Sequence, residues 1–284
     1  MKPFFYLRQA ILEERAGSYS RAFNTYSLAY KIAESSVLKI KIISKKSICL
    51  ECVGNYSEAR DLVEELIPSF PHEPESFLQT ALFSIRRGRT KQAKQILNSA
   101  IEKFPEFLEF YLTLAYLYKE TERSNESIQV LKKALMQENL SNGRGGIRRK
   151  DIWAELGNLY FERNNYNSCI MCMKKSLRLE EKGHPFLHYD TLAKSYLHIE
   201  DYVSALKYID LHLTYFEERD PEDHILKARI HAKLGNLNLA SSNLLEAYDR
   251  EGFLRLKTQD MEDFSQLVKI GFFENIENVI IEEG

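Results

Sequence analysis

Nowhere do the 284 residues hold an unbroken apolar run of the ~18 residues that a membrane-crossing helix needs. The opening stretch, MKPFFYLRQAILEERAG, carries an apolar cluster too short and too soon charged for a secretory leader. An intracellular, cytoplasmic location is therefore expected. Neither sign of charge is in surplus, since 39 Lys and Arg stand against 41 Asp and Glu for a net charge of −2. A chain so balanced has no general pull toward nucleic acid or an anionic membrane. Cysteine is sparse: four residues form two C-x2-C pairs, Cys49/Cys52 and Cys169/Cys172. Ligands of one zinc ion lie ~2.3 Å from it, whereas helix layers packed at ~10 Å would hold these pairs about three helix pairs apart. Each pair is expected to be two small buried residues one turn apart. Catalytic signatures are missing too. His184-Pro185-Phe186-Leu187-His188 has the i, i+4 interval of a helical metal site, but it lacks the glutamate of H-E-x2-H, and Pro185 suits a helix start. His198, His212, His224 and His231 are scattered, and no strand–turn–helix serine accompanies them. The expectation is a protein that is not an enzyme and uses no metal or cofactor.

What is present is helical periodicity. The composition, 44% hydrophobic and 28% charged, is that of a folded chain. From Asp151 to Glu181, Trp153, Leu156, Gly157 and Tyr160 fall on one face of a helix, the polar Asn164-Asn165 interrupts, and Cys169, Met173, Ser176 and Leu177 fall on one face of a second. Gly157, having no side chain, lets the second helix approach closely. The same pattern recurs as a ladder of small residues: Ala22, Ala59, Ala93, Ser127, Cys169, Ala205 and Ala240, at intervals of 37, 34, 34, 42, 36 and 35 residues. Four residues beyond each rung stands a large apolar one: Tyr26, Val63, Leu97, Leu131, Met173, Ile209 and Leu244. Gly17, Gly54, Gly88 and Gly235 stop first helices as left-handed caps, and Pro71 and Pro105 fall at the ends of second helices. A fixed period of this length marks a stacked array, which escapes the ~250–300-residue limit of a single core.

The W-x2-L-G-x2-Y spacing of Trp153, Leu156, Gly157 and Tyr160, followed by Cys169 and Met173, resembles the tetratricopeptide repeat. Cys in place of Ala and Met in place of an aromatic are departures of tolerable size, and Glu181 stands where the family often has Pro. The resemblance implies an all-α, right-handed superhelical solenoid of about seven helix pairs with a C-terminal capping helix. On this reading residues 1–141 hold repeats one to four, 142–150 a Gly- and Arg-rich linking loop, 151–250 repeats five to seven, and 251–284 capping helices. The loop has Gly143, Gly145 and Gly146 with four cations, but neither phosphate-cradle spacing nor an aromatic for base stacking, so a solvated connection is expected. From Asp260 to Ile280 a helical pattern continues, broken at Gly271. Gln9, Glu13 and Lys46 occupy places where the pattern wants apolar residues, which predicts that the first helices of repeats one and two are rotated.

In such a solenoid the resemblance implies that first helices line the concave face and present their non-core positions to a ligand. The amino-terminal half offers Leu7, Ile11, Ile48, Leu78, Leu82, Leu112 and Tyr116, an apolar stripe. Beyond it come Glu109, Glu120, Asp151, Glu155, Glu162 and Asp190 against Lys119 and Lys194. The binding residues expected are Leu78, Leu82, Leu112, Tyr116, Glu120, Glu155, Asn158 and Asp190. Rotation would instead turn Leu7, Ile11 and Ile48 into core. The carboxylate clamp of chaperone-binding relatives is not matched, because Ala154, Thr191, Glu222 and Leu226 fill its places and only Asn158 fits. The function expected is an adaptor that binds a protein or peptide segment with apolar and basic side chains, without nucleic acid. The alternatives are a peptide-sensing regulatory domain and an RNA-binding helical repeat.

Overall fold

The structure, a computed structural model, describes residues 3–137, 147–180, 186–216 and 220–282, leaving aside the side chains of Gln259 and Asn275. Residues 138–146, Glu181, His184 and Pro185 lie outside the described residues. The fold is an all-α solenoid of helix pairs, and the chain divides into two compact units, Met1–Arg148 and Arg149–Gly284.

The first unit runs α1 (Pro3–Arg15), α2 (Tyr19–Ile32), α3 (Ser36–Cys52), α4 (Tyr56–Glu64), the single turn α5 (Leu66–Ser69), α6 (Pro74–Arg86), α7 (Thr90–Lys103), α8 (Leu108–Lys119) and α9 (Ser124–Leu135). The second runs α10 (Arg149–Glu162), α11 (Tyr166–Arg178), α12 (Tyr189–His198), α13 (Tyr202–Tyr215), α14 (Pro221–Lys233) and α15 (Leu237–Glu251). It ends in β1 (Leu254–Lys257), α16 (Thr258–Asp263), α17 (Ser265–Lys269), a 3-10 turn (Phe272–Asn275) and β2 (Val279–Glu282). Within each unit the first helices of successive pairs lie side by side, α3 on α6 and α6 on α8, then α10 on α12 and α12 on α14.

The period of the sequence is the period of the core. Every rung from Ala22 to Ala240, and every large residue four positions on, is at most 1% exposed. Twelve positions before each rung the structure adds a second column of small buried residues: Ala10, Ser47, Ala81, Ala115, Gly157, Ala193 and Ala228. Small residues here allow the two helices of a pair to approach closely. In one pair the approach is bridged, the Ser127 hydroxyl donating to the Ala115 carbonyl at 2.9 Å. At Gly157 an added Cβ would lie 2.8 Å from Met173 Cε, so the glycine and the departure to Met are two halves of one fit.

This column corrects the expected rotation of α1 and α3. Ala10 and Ser47, both 0% exposed, keep the common register. The polar residues are satisfied in place instead: Gln9 is exposed, Glu13 accepts from the Thr25 hydroxyl at 2.7 Å, and the Lys46 ammonium lies 4.6 Å from the Phe23 ring centroid. Leu7 is partly buried against the core of α1 and α2, while Ile11 remains 39% exposed.

Five positions before each rung the chain reverses through a left-handed residue. Gly17, Gly54, Gly88 and Gly235 have φ from +69° to +82°. The same place in the other three pairs is held by Glu122 (+56°), Asn164 (+56°) and Glu200 (+63°). Asn tolerates this conformation, whereas a Glu there costs about 1–2 kcal/mol.

The carboxyl end departs from the expected capping helices. Among the described residues after Gly252, α16 and α17 are the α-helical segments; Gly271 (φ +70°) ends the latter ahead of the 3-10 turn, and β2 pairs in parallel with β1, Leu254 opposite Val279 through Lys257 opposite Glu282. Leu254 and Leu256 point into the core of the last repeat while Arg255 and Lys257 are exposed, a period of two in place of 3.6. The Asp260 carboxylate accepts from the Lys257 N–H at 2.9 Å and so starts α16 where the strand ends.

Candidate functional site

In the first unit the expected surface lies on α6 and α8. Leu78 is 8% exposed and belongs to the packed interior, offering little to a ligand. Leu82 and Leu112 are half-buried, Tyr116 is 54% exposed, and Glu120, just past α8, is exposed. The face is thus narrower than the sequence suggests: one exposed aromatic beside two half-covered leucines. Glu109, counted among the groove acids, is engaged by its own chain, accepting from the Ile147 N–H at 3.3 Å.

In the second unit Glu155 and Asn158 are half-buried on α10, and Asp190 on α12 pairs with Lys194 one turn on, at 3.2 Å. Lys194 leads into a cleft of about 390 Å³ that neither Glu155 nor Asn158 lines. Its walls are Phe161, His198, Glu222, Leu226 and Arg229 from the first helices, and it is bounded by Arg255, Lys257 and Glu282 from the strand pair. Sequence reasoning reached Lys194 but not Arg229, which the same helical mapping would have found on α14. The strand residues gave no such signal, because they enter the cleft only through a long-range pairing.

Charges in this region are matched in place. The Arg229 guanidinium reaches Asp260 and Asp263, each at 2.7 Å, and Lys233 shares Asp263 at 2.7 Å. The hydrogen bond that the Lys233 ammonium donates to the Asp263 carboxylate raises Lys233 above its ordinary value. Arg255 meets Glu282 at 3.3 Å. At one end the His198 ring stacks on Tyr166 with centroids 4.2 Å apart and planes within 3°. Burial, then the Arg229 cation, lowers His198 below the usual imidazole range, so at neutral pH it is an uncharged ring. Deeper, His212 Nε2 lies 3.1 Å from Asp223 Oδ2 between α13 and α14, and burial raises the Asp223 carboxyl.

All four cysteines are free thiols; Cys49, Cys169 and Cys172 are buried and Cys52 is exposed. Burial pushes Cys49 up to about 11 and also raises Cys169, so both are protonated at neutral pH and poor metal ligands. Among the described residues no group of three or more His, Cys, Asp or Glu is placed to hold a metal ion, and no helix is long and apolar enough to cross a membrane.

Comparison with known proteins agrees with this architecture. Two family models, each described as tetratricopeptide repeat, match residues 84–144 and 151–182. No curated protein matches the sequence. Among solved structures, the C-terminal part of a TPR repeat-containing protein from Cytophaga hutchinsonii aligns with a TM-score of 0.61 at 15% identity, covering 90% of this chain and 98% of that one. The pilF protein of Pseudomonas aeruginosa aligns at 0.58 and 17% identity, covering 80% and 97%. YrrB, described as a TPR protein with an unusual peptide-binding site, aligns at 0.54 and 14% identity, covering 73% and 97%. At such identities the likeness is one of fold.

Proposed function

This chain is a tetratricopeptide repeat protein, and from that premise we propose that it is a protein-interaction scaffold whose first helices hold a segment of another polypeptide. The observation that carries this reading is the cleft of about 390 Å³ on α10, α12 and α14. Its size falls in the ~300–1,000 Å³ range of ligand sites. It combines an apolar wall, Phe161 and Leu226, with charges of both signs at Lys194, Glu222, Arg255 and Lys257. A polypeptide suits such a lining, since its apolar side chains fill the wall while its own charges exchange with the rim pairs. In the first unit Tyr116, flanked by Leu82 and Leu112, supplies a second, apolar anchor of the aromatic type that dominates interface energetics. The peptide-binding site in the description of YrrB supports the reading by analogy of fold.

The test is to pan a displayed peptide library against the full chain and measure the selected peptides by calorimetry. Lys194→Glu and Tyr116→Glu, each with an unchanged far-ultraviolet spectrum, should weaken their respective peptides about tenfold or more, the loss of one good contact. Peptides that bind both variants as tightly as the unmodified chain would contradict these surfaces.

A further inference from the structure

The charges that line the cleft are not all matched. Arg229 is held by Asp260 and Asp263, and Lys194 by Asp190. Arg255 and Lys257 project from the same side of β1, about 7 Å apart along the strand at ~3.3 Å per residue. Between them they have the carboxylate of Glu282, which stands opposite Lys257 in the strand pairing yet reaches Arg255, at 3.3 Å. Lys257 is exposed, and among the described residues it is left without an ion-pair partner.

Glu222, in the first turn of α14, is unmatched in the opposite sense. It lines the same cleft, is exposed, and among the described residues has no cation paired with it. Glu222 and Ile225 also line an adjoining hollow of about 80 Å³ together with Asp220 and Glu251. Arg255, the cation of that hollow, is already taken by Glu282 and lies 5.5 Å from the Phe253 ring centroid. One wall of the cleft is thus short of a carboxylate and the other short of a cation. That Lys257 and Glu222 line one cleft without pairing puts the open space between them.

Given the cleft as the scaffold's binding surface, on which this inference rests, we propose that it selects a polypeptide segment bearing one acidic, one basic and one apolar side chain. The carboxylate goes to Lys257, the cation to Glu222, and the apolar side chain to the wall of Phe161 and Leu226. Each new ion pair forms on a group that has none, so no pair within the chain is broken to admit the ligand. Selection is then by pattern as well as by total charge. A uniformly acidic segment is repelled at Glu222, and a uniformly basic one at Lys257.

The probes are peptides selected from a displayed random library on the full chain, then synthesised with both ends blocked so that their charges are those of side chains. Calorimetry should find that Lys257→Glu and Glu222→Lys, both at exposed positions, each weaken binding about tenfold or more. Exchanging the peptide's acid for Lys should restore binding to Lys257→Glu and not to Glu222→Lys, and exchanging its base for Glu should do the reverse. A variant that had merely lost its fold would not be rescued by either exchange. Peptides that Lys194→Glu weakens, but neither Lys257→Glu nor Glu222→Lys does, overturn this selection while the cleft stands as the binding surface. Peptides indifferent to all three variants overturn both. Selected peptides that carry charge of one sign alone also overturn the selection.

Discussion

The two units turn their helix pairs through the same backbone conformation with different residues. In the first, three of four reversals use glycine, Gly17, Gly54 and Gly88, and the fourth uses Glu122; in the second, Asn164 and Glu200 precede the single Gly235. The left-handed turn is thus a property of the repeat's geometry, imposed by the packing of the pairs even where the local residue resists it. The units differ in their polar interactions as well. The first places its ion pairs at the surface, as with Arg86 and Glu51 at 3.2 Å, 36% and 14% exposed. The second has surface pairs too, such as Arg255 with Glu282, but adds a buried network, Arg229 being 18% exposed against Asp260 and Asp263 at 7% and 10%.

The largest effect expected from this contrast is at Arg229. Arg229→Ala leaves Asp260 deprived of its cation and should destabilise the second unit by about 3–5 kcal/mol. Arg86→Ala in the first should cost under about 1 kcal/mol. Denaturant titration followed by hydrogen exchange in each unit measures both, and equal costs would erase the distinction.

Next come the turns. Glu122→Gly and Glu200→Gly should each stabilise their unit by about 1 kcal/mol, and Gly88→Ala should cost about as much, since nothing lies within 4 Å of the added Cβ and only the backbone resists. A loss of stability on Glu→Gly would show that these side chains do more than tolerate the turn.

The smallest effect is one of pH. Burial, aided by the Lys227 cation, holds His231 below the ordinary imidazole value of 6.5. The unfolded chain then takes up a proton near pH 6.5 that the folded one refuses, so this contribution is complete above that pH and is lost as pH falls below it. The first unit has a single histidine, His72, which is exposed. Protection factors, which divide out the intrinsic slowing of amide exchange toward acid, should therefore fall more in the second unit between pH 7 and mildly acid pH, and His231→Gln should reduce the difference.

Much of the fold was legible because it repeats. A rung such as Ala93 or Cys169 carries little information alone, but seven in register fix which helix faces meet. The column from Ala10 to Ala228 is equally regular in the sequence, but the polar Gln9, Glu13 and Lys46 beside it at large-residue places mask its register in the first two pairs. The turns at Glu122 and Glu200 could not be read from propensity, since glutamate does not favour positive φ; only their distance from the rung gives them away. The strand pair was hidden for another reason. Val279, Ile280 and Ile281 are β-branched, but their partner lies 25 residues earlier, from Leu254, and no local pattern announces a parallel pairing. Because that pairing brings Arg255, Lys257 and Glu282 to the cleft, that part of the candidate surface stayed out of reach, whereas Tyr116 and Lys194 lie on regular first helices, where periodicity alone places them.

The scaffold reading is tested most directly by hydrogen exchange of the full chain with and without a peptide selected against the cleft. Slowed exchange should concentrate in the first helices 189–198 and 221–233 and in the strand pair that bounds the cleft. Slowing confined to the second helices, 202–215 and 237–251, would place the ligand on the opposite surface and contradict the account.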